Sequence, residues 1–189
     1  MHARRVLTWV WVALLVTLLV AWIRDPALLS EGRISTFLAR WGAWAFGAFT
    51  VIALVRGALL VPSTPVVLAG AALFPHSLPA VFLVTMVGIL LSATLLYRFP
   101  HFVGYDRMLA AKHPEKLAQL QLGLAKPWAI WLVAGWAFFP AVPTDLICYA
   151  AGLVGMPFRR MILGIIIGEL PLVTAYLFFG QWLAEYLPF

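Results

Sequence analysis

Three ionisable residues of this sequence stand inside long apolar stretches, where a charge is costly unless it is paired or hydrated. They are Arg56, Asp145 and Glu169. One cation and two carboxyl groups can bind a charged headgroup or relay protons when the fold brings them together. We therefore take these three residues as a candidate substrate or proton site.

Each of the three residues also has a purely structural interpretation. Asp145 can cap the helix that follows it, because helix N-termini carry free backbone N–H donors. Arg56 can extend its long side chain to the membrane interface. Glu169 can be protonated and bonded to a carbonyl that Pro171 leaves without its helical partner.

Other kinds of chemistry find little support. No His, Cys, Asp and Glu residues have metal-ligand spacing and no nucleophile has a base beside it, so we expect no metal, no cofactor and no enzyme activity. The lone Cys148 excludes an intramolecular disulfide. No basic run interleaved with aromatic residues indicates nucleic-acid binding. The net charge of +6 instead fits loop orientation and contact with anionic lipid headgroups.

The composition is that of a membrane protein. The 189 residues are 64% hydrophobic and 11% charged, whereas soluble domains are about half apolar and about a quarter charged. We predict an all-α polytopic membrane protein that forms a single domain over residues 1–189, because the chain has no room for a separate soluble domain.

Two proline pairs interrupt the apolar sequence, about 80 positions apart. Proline removes a backbone donor and clashes with the preceding helical turn, and broken backbone at membrane depth persists only inside protein or beside a water-filled cavity. We therefore predict two re-entrant hairpins with tips near the bilayer midplane; the alternative is that the prolines only kink ordinary spans. The predicted tip residues are Pro62, Ser63, Thr64, Pro65, Pro140, Pro143 and Thr144.

Each proline pair is followed by Ala-Gly and then by an apolar span with a central glycine. Such paired, interrupted segments in two halves of a chain indicate an inverted repeat with a site at its centre. Opposed hairpin tips then bring Arg56 and Asp145 together, and Glu169 joins them from the last span. Small residues let helices approach closely, and we expect this role for Gly70, Gly88, Gly152 and Gly168.

The rest of the chain completes this order. The first membrane span after a hairpin is expected to end at Arg98, and a short helix is expected to open at Pro114 with Leu117, Leu120 and Leu124 on one face. The predicted segments are an N-terminal transmembrane anchor helix (1–25), an interfacial amphipathic helix (26–40), a first hairpin-plus-helix repeat (41–97), a cytoplasmic amphipathic loop (98–126), a second repeat (127–180) and a tail (181–189).

Nine of the thirteen Lys and Arg residues fall on one predicted face of the membrane. The positive-inside rule makes that face cytoplasmic. We therefore expect a multi-pass protein of the inner (plasma) membrane with a cytoplasmic N-terminus. The nine residues are Arg4, Arg5, Arg98, Arg107, Lys112, Lys116, Lys126, Arg159 and Arg160.

The chain resembles the DedA / VTT-domain superfamily, the SNARE-associated Golgi-protein family, over roughly residues 56–180, and is most similar to its bacterial branch. The second-half motif is Pro140-x-x-Pro143-x-Asp145-Leu, Tyr149-Ala-Ala-Gly152-Leu and Gly168-x-Leu-Pro171. The first-half motif is Pro62, Ala69-Gly70-x-x-x-Phe74 and Tyr97-Arg98 with Gly104.

This resemblance implies two opposed re-entrant hairpins and roles in polyprenyl-phosphate recycling, phospholipid scrambling or proton-dependent transport. It implies membrane lipids, polyprenyl phosphate among them, and protons as partners. The chain departs from the family pattern at three places: Ala137 stands where an Arg is common, Ser63-Thr64 lacks a carboxylate, and Phe74 is followed by proline. Arg56 is the candidate substitute for the missing Arg.

Together these patterns favour translocation of an anionic lipid, a polyprenyl phosphate or a phospholipid, through a polar site at the bilayer midplane. The alternatives are a proton-coupled transporter of a small solute and a non-transporting membrane scaffold. No pattern in the sequence favours a particular oligomeric state.

Overall fold

The computed structural model describes residues 9–10, 13–14, 16–17, 20–140 and 142–186, and of residues 181–186 only the backbone. Within this part the chain is helical and contains no strand, as the all-α prediction requires. Residues 20–24 are helical, but most of the predicted N-terminal anchor and the end of the predicted tail lie outside the described residues.

From residue 31 onwards the described chain forms one α-helix after another. The helices are α1 (Glu31–Ala39), α2 (Ala45–Val55), α3 (Ser63–Leu73), α4 (Leu78–Val103), α5 (Tyr105–Lys112), α6 (Pro114–Leu124), α7 (Ala129–Phe138), α8 (Thr144–Val154) and α9 (Phe158–Tyr186). Short 3₁₀ turns cover Pro26–Leu29, Gly42–Trp44, Arg56–Leu59 and Pro75–Ser77.

The apolar segments of the described chain fall into a long and a short group. In the described part, three stretches are long and apolar enough to cross a membrane, namely Gly42–Leu59, Pro75–Val103 and Phe158–Gly180. In contrast, α3, α7 and α8 are 11, 10 and 11 residues long. At about 1.5 Å per residue each reaches about half of a bilayer core of about 30 Å. The protein is therefore a helical membrane protein with three apolar helices too short to span.

Both proline pairs separate helices and do not merely kink them. Before the first pair, α2 tightens into a 3₁₀ turn and Leu60 adopts a left-handed conformation with φ of 54°, which costs a residue with a side chain about 1–2 kcal/mol. At the second pair, α7 stops at Phe138 and α8 starts at Thr144. The missing proline donors account for both interruptions.

The predicted end of the first long span at Arg98 is wrong for the helix itself. The α4 helix continues through Arg98 and Pro100 to Val103 and stops at Gly104, whose φ is 90°. A charged residue marks where a span meets water, whereas this helix ends at a glycine that adopts the left-handed conformation. The α5 helix that follows was not predicted from the sequence.

The predicted amphipathic helix at residues 26–40 is present as α1, and it also packs against α3. Leu38 is completely buried in this contact, whereas Phe37 and Trp41 remain half-exposed. The short helix predicted at Pro114 is present as α6, but of its apolar face Leu117 is buried and Leu120 is exposed. Helical periodicity thus located both helices without fixing which residues they bury.

The two halves of the chain pack by crossing over. In each half, the helix before the proline pair packs against the long helix of the same half, α2 on α4 and α7 on α9. The helix after the proline pair packs against the long helix of the other half, α3 on α9 and α8 on α4.

The predicted packing glycines lie at helix contacts: Gly88, Gly152 and Gly168 at those just described, and Gly70 between α3 and α2. A Cβ atom on Gly88 would collide with the Ala53 carbonyl, and one on Gly152 with the Tyr97 carbonyl. The remaining two also face neighbouring helices closely: Gly70 meets Phe49 and Gly168 meets Ala134. The helix backbones therefore approach one another as only glycine permits.

Candidate functional site

Arg56 lies where α2 gives way to its 3₁₀ turn, and its side chain points into the protein. The residue is 5% exposed. Its Nη1 donates a hydrogen bond to the carbonyl of Val61 at 3.1 Å. The guanidinium thus provides a donor for a backbone carbonyl at the helix break. A side chain that reached for the interface would not be buried in this way, so that interpretation of Arg56 is wrong.

Asp145 lies in the first turn of α8, opposite Arg56. Its Oδ2 is 3.8 Å from Arg56 Nη1, which is within range of an ion pair but longer than a hydrogen bond. The residue before α8 is Pro143, and the helix start has no side-chain capping bond. The capping interpretation of Asp145 therefore does not hold, and its nearest charged partner comes from the other half of the chain.

Glu169 lies on α9 and is 1% exposed. Its Oε1 accepts a hydrogen bond of 2.6 Å from the Thr144 hydroxyl, which ties the middle of the last long helix to the first residue of α8. The predicted bond to a carbonyl freed by Pro171 is thus replaced by a bond between side chains. Thr144 does not cap its helix, because its hydroxyl serves Glu169.

These contacts bring Arg56, Asp145 and Glu169 together from three separate helical segments; we call the three, with Thr144, the charge cluster. The charge of Arg56 is close enough to interact with both carboxyl groups. Two carboxyl groups face one guanidinium, so the cluster is electrically balanced when one carboxyl carries a proton. Buried charges are tolerated when they are paired and hydrogen-bonded in this way.

One contact beside the charge cluster, between Thr64 and Tyr176, was not predicted. Tyr176, which is 5% exposed, lies seven residues after Glu169 and therefore on the same face of α9. Its hydroxyl accepts a long hydrogen bond of 3.5 Å from the Thr64 hydroxyl. The spacing of seven was the available signal, but tyrosine is common in membrane helices and did not stand out.

The predicted tip residues do not all enter the interior. Pro62, Pro140 and Pro143 are exposed on the protein surface, while Ser63, Thr64, Pro65 and Thr144 are half-buried. The indole Nε1 of Trp136 donates to the Pro143 carbonyl at 3.2 Å and so fastens the second break. The side chains that converge are those that flank the prolines, not the prolines themselves.

These features define a class of protein: a polytopic helical membrane protein in which interrupted helices from two halves enclose a charge cluster. The sequence model of the VTT domain matches residues 61–182, more than half of the chain. The chain belongs to the VTT-domain family, and the predicted resemblance to the DedA / VTT superfamily is confirmed. The matched region contains Asp145 and Glu169 and begins just after Arg56. No curated protein and no solved structure matches the chain.

Proposed function

We propose that this protein moves an anionic lipid, a polyprenyl phosphate or a phospholipid, between the leaflets of a bacterial inner membrane. The observation that carries the proposal is the loose pairing of a buried cation. Arg56 and Asp145 are 3.8 Å apart, and this contact and the bond to Val61 both use the single nitrogen Nη1. Within the described residues no acceptor engages the other guanidinium donors of Arg56. These donors can serve a phosphate, which arginine binds with two parallel N–H bonds.

The architecture that we propose for this task is a pair of re-entrant hairpins in an inverted repeat. The lengths of α3, α7 and α8 support half-spanning helices. Two contacts support a reversal of direction within the first hairpin. Arg56, just after α2, bonds to Val61, just before α3, and Gly70 in the second half of α3 meets Phe49 in the first half of α2. The two helices therefore run in opposite directions.

The contacts between helices support the inversion. Position 53 of α2 and position 57 of the 3₁₀ turn that follows it lie beside positions 88 and 92 of α4. Positions 130 and 134 of α7 lie beside positions 164 and 168 of α9. Each first limb thus runs parallel to the long helix of its own half.

The contacts between α3 and α9 give the direction of α3. Thr64 and Leu68 of α3 meet Tyr176 and Gly180 of α9, so α3 runs with α9. Since α3 runs against α2, the helices α2 and α4 run opposite to α7 and α9, which is the relation expected of an inverted repeat.

In the proposed mechanism the phosphate of the lipid replaces Asp145 on the guanidinium of Arg56. The acyl or prenyl chains stay in the bilayer while the headgroup passes the charge cluster. Ionised Asp145 and Glu169 repel the phosphate, and a proton on one of them removes part of that repulsion. Membrane lipids and protons are the proposed partners, and the positive-inside charge distribution supports a cytoplasmic N-terminus.

A leaflet-exchange assay in proteoliposomes tests this function. Fluorescent phospholipid and polyprenyl phosphate are followed with the wild type, Arg56→Gln, Asp145→Asn and Glu169→Gln. We expect exchange by the wild type and its loss in each of the three variants. Arg33→Gln is the matched control, because Arg33 forms an exposed ion pair with Asp25 at 2.8 Å, far along the chain from the charge cluster.

Exchange no faster than in empty liposomes, from protein shown to be folded, rules out the lipid function. The second candidate is then proton-coupled transport of a small solute, which the excess of one carboxyl group over the single guanidinium favours. Uptake that depends on the proton gradient and is lost in Glu169→Gln supports that candidate. If none of the three variants changes any measurement of transport or growth, the scaffold role is supported.

A further inference from the structure

A groove of about 410 Å³ lies between α5 and α8, apart from the charge cluster. Its α5 wall is formed by Tyr105, Met108, Leu109 and Lys112, a spacing that puts one continuous helix face towards α8. Most of the lining is apolar, and the volume falls within the range of about 300–1,000 Å³ that is typical of small-ligand sites. The groove is therefore large enough to hold part of an amphiphilic molecule.

The groove is placed at the boundary of the membrane. The apolar span ends at Val103, and α5 starts two residues later, after the left-handed turn at Gly104. A hydrogen bond of 2.6 Å between the His101 ring and Asp106 bridges this turn and fixes α5 relative to the end of the span. The opposite wall, formed by Tyr149 and Leu153 one turn apart on α8, belongs to the second hairpin.

The charge at one end of the groove is positive. Lys112 and His113 lie there, and within the described residues no carboxylate forms an ion pair with the Lys112 ammonium. The segment 98–126 around it carries five Lys and Arg residues against two acidic ones. One of these two, Asp106, is already bonded to His101.

We propose that this groove binds one acidic phospholipid of the adjoining leaflet. The lipid's phosphate contacts Lys112 and His113, and an acyl segment lies between α5 and α8 against Met108, Tyr149 and Leu153. An apolar floor with a cationic end at the membrane boundary is complementary to such a molecule. This site holds a resident lipid and does not depend on the proposed translocation through the charge cluster.

Titration of the purified full-length protein in neutral detergent with fluorescent phosphatidylglycerol tests the proposal. We expect phosphatidylglycerol to bind more tightly than phosphatidylcholine. Lys112→Gln should weaken phosphatidylglycerol binding about fivefold, the factor that one cation near an anionic lipid surface contributes. Leu153→Trp, which fills the groove, should weaken binding of the lipid further. The control is Lys116→Gln, an exposed residue of the same basic segment that does not line the groove.

Thermal unfolding of each variant verifies that it is folded before its affinity is compared. Equal affinities for Lys112→Gln and Lys116→Gln, or for the two phospholipids, would overturn the proposal. So would unchanged binding in the filled groove of Leu153→Trp, or competition by glycerophosphoglycerol as effective as that by the intact lipid. The translocation proposal fails independently: Glu169→Gln should keep phosphatidylglycerol binding whether or not it changes leaflet exchange.

Discussion

At the scale of single residues, the burial of Arg56 decides how the charge cluster behaves. Removing one partner of a buried ion pair leaves the other charge uncompensated, which costs more than the pair contributes when intact. Arg56 has two such carboxyl neighbours, Asp145 and Glu169. Its role in stability is therefore separable from its proposed role in lipid binding.

A double-mutant cycle measures this coupling. Arg56→Leu should lower the free energy of unfolding by about 3–5 kcal/mol, because it leaves buried carboxylates unpaired. Combining it with Asp145→Leu should recover part of that loss, since one unpaired charge disappears with it. Chemical unfolding in detergent is the measurement. Strictly additive effects of the two substitutions would show that the pair at 3.8 Å has no energetic coupling.

The members of the charge cluster were readable from the sequence, but their contacts were not. Ionisable residues in apolar stretches are rare, so Arg56, Asp145 and Glu169 stood out at once. The bond from Thr144 to Glu169 joins residues 25 positions apart and depends on how α8 lies against α9. Each of the three local interpretations failed because it considered only neighbours along the chain.

At the scale of secondary-structure elements, proline and glycine carried most of the readable information. The proline pairs correctly located both breaks, since proline acts on its own backbone. The end of α4 was misplaced because Arg98 affects where a helix leaves the membrane, whereas Gly104 ends it by adopting a φ of 90°. The α5 helix has too weak an apolar face to be distinguished from a polar loop.

The close contact between α2 and α4 makes a sharp prediction about Gly88. Gly88→Ala places a methyl group against the Ala53 backbone, and overpacking of this kind costs about 1–3 kcal/mol. Gly135→Ala is the matched control: it lies within α7 with no atom within 4 Å of the new methyl group. It should be neutral or gain up to about 1 kcal/mol from helix propensity. Thermal unfolding in detergent compares the two; equal midpoints would contradict the contact.

The turn between α4 and α5 should be sensitive to acid. Burial raises the pKa of Asp106, but hydrogen bonds from the His101 ring and the Arg107 backbone and the charges of both residues outweigh it, and the pKa lies below its usual value. A lowered pKa stabilises the fold above the ordinary value of about 4, and this stabilisation is lost as the pH falls through the folded-state pKa.

Asp106→Asn tests this pH dependence. The wild type should unfold at a higher temperature than the variant at pH 6, and the difference should shrink as the pH is lowered towards about 3. Glu115→Gln, a substitution on the exposed surface of α6, is the control. This variant should show the same acid dependence as the wild type. A difference between wild type and Asp106→Asn that stays constant over this range would contradict the assignment.

At the scale of the whole molecule, the repeated sequence pattern predicted two similar halves but not how they join. Motif spacing reports what each half contains, whereas the contacts of α3 with α9 and of α8 with α4 depend on complementary surfaces far apart in the chain. Gly152, at the contact of α8 with α4, was recognised from the sequence as a packing glycine, whereas Gly180, which meets Leu68 between α3 and α9, was not. The partner of each glycine follows only from the assembled fold.

Dividing the chain between α5 and α6 tests how far the halves depend on each other. Fragments 1–112 and 113–189 expressed alone should be degraded, because the first lacks α9, which packs on α3, and the second lacks α4, which packs on α8. Coexpressed fragments should copurify and recover the stability of a folded protein. Copurification is followed by an affinity tag on one fragment, and stable accumulation of either fragment alone would contradict the crossed packing.

The crossing of the two halves also constrains how the protein is made. The ribosome synthesises α3 well before α9, and it synthesises α4 well before α8. During that interval the faces of α3 and α4 that later pack against α9 and α8 have no partner from this chain. The newly made first half therefore needs either lipid or an insertion factor to shield them. Synthesis speed through residues 104–157 then sets how long this unfinished intermediate exists, and with it the chance of degradation before the fold closes.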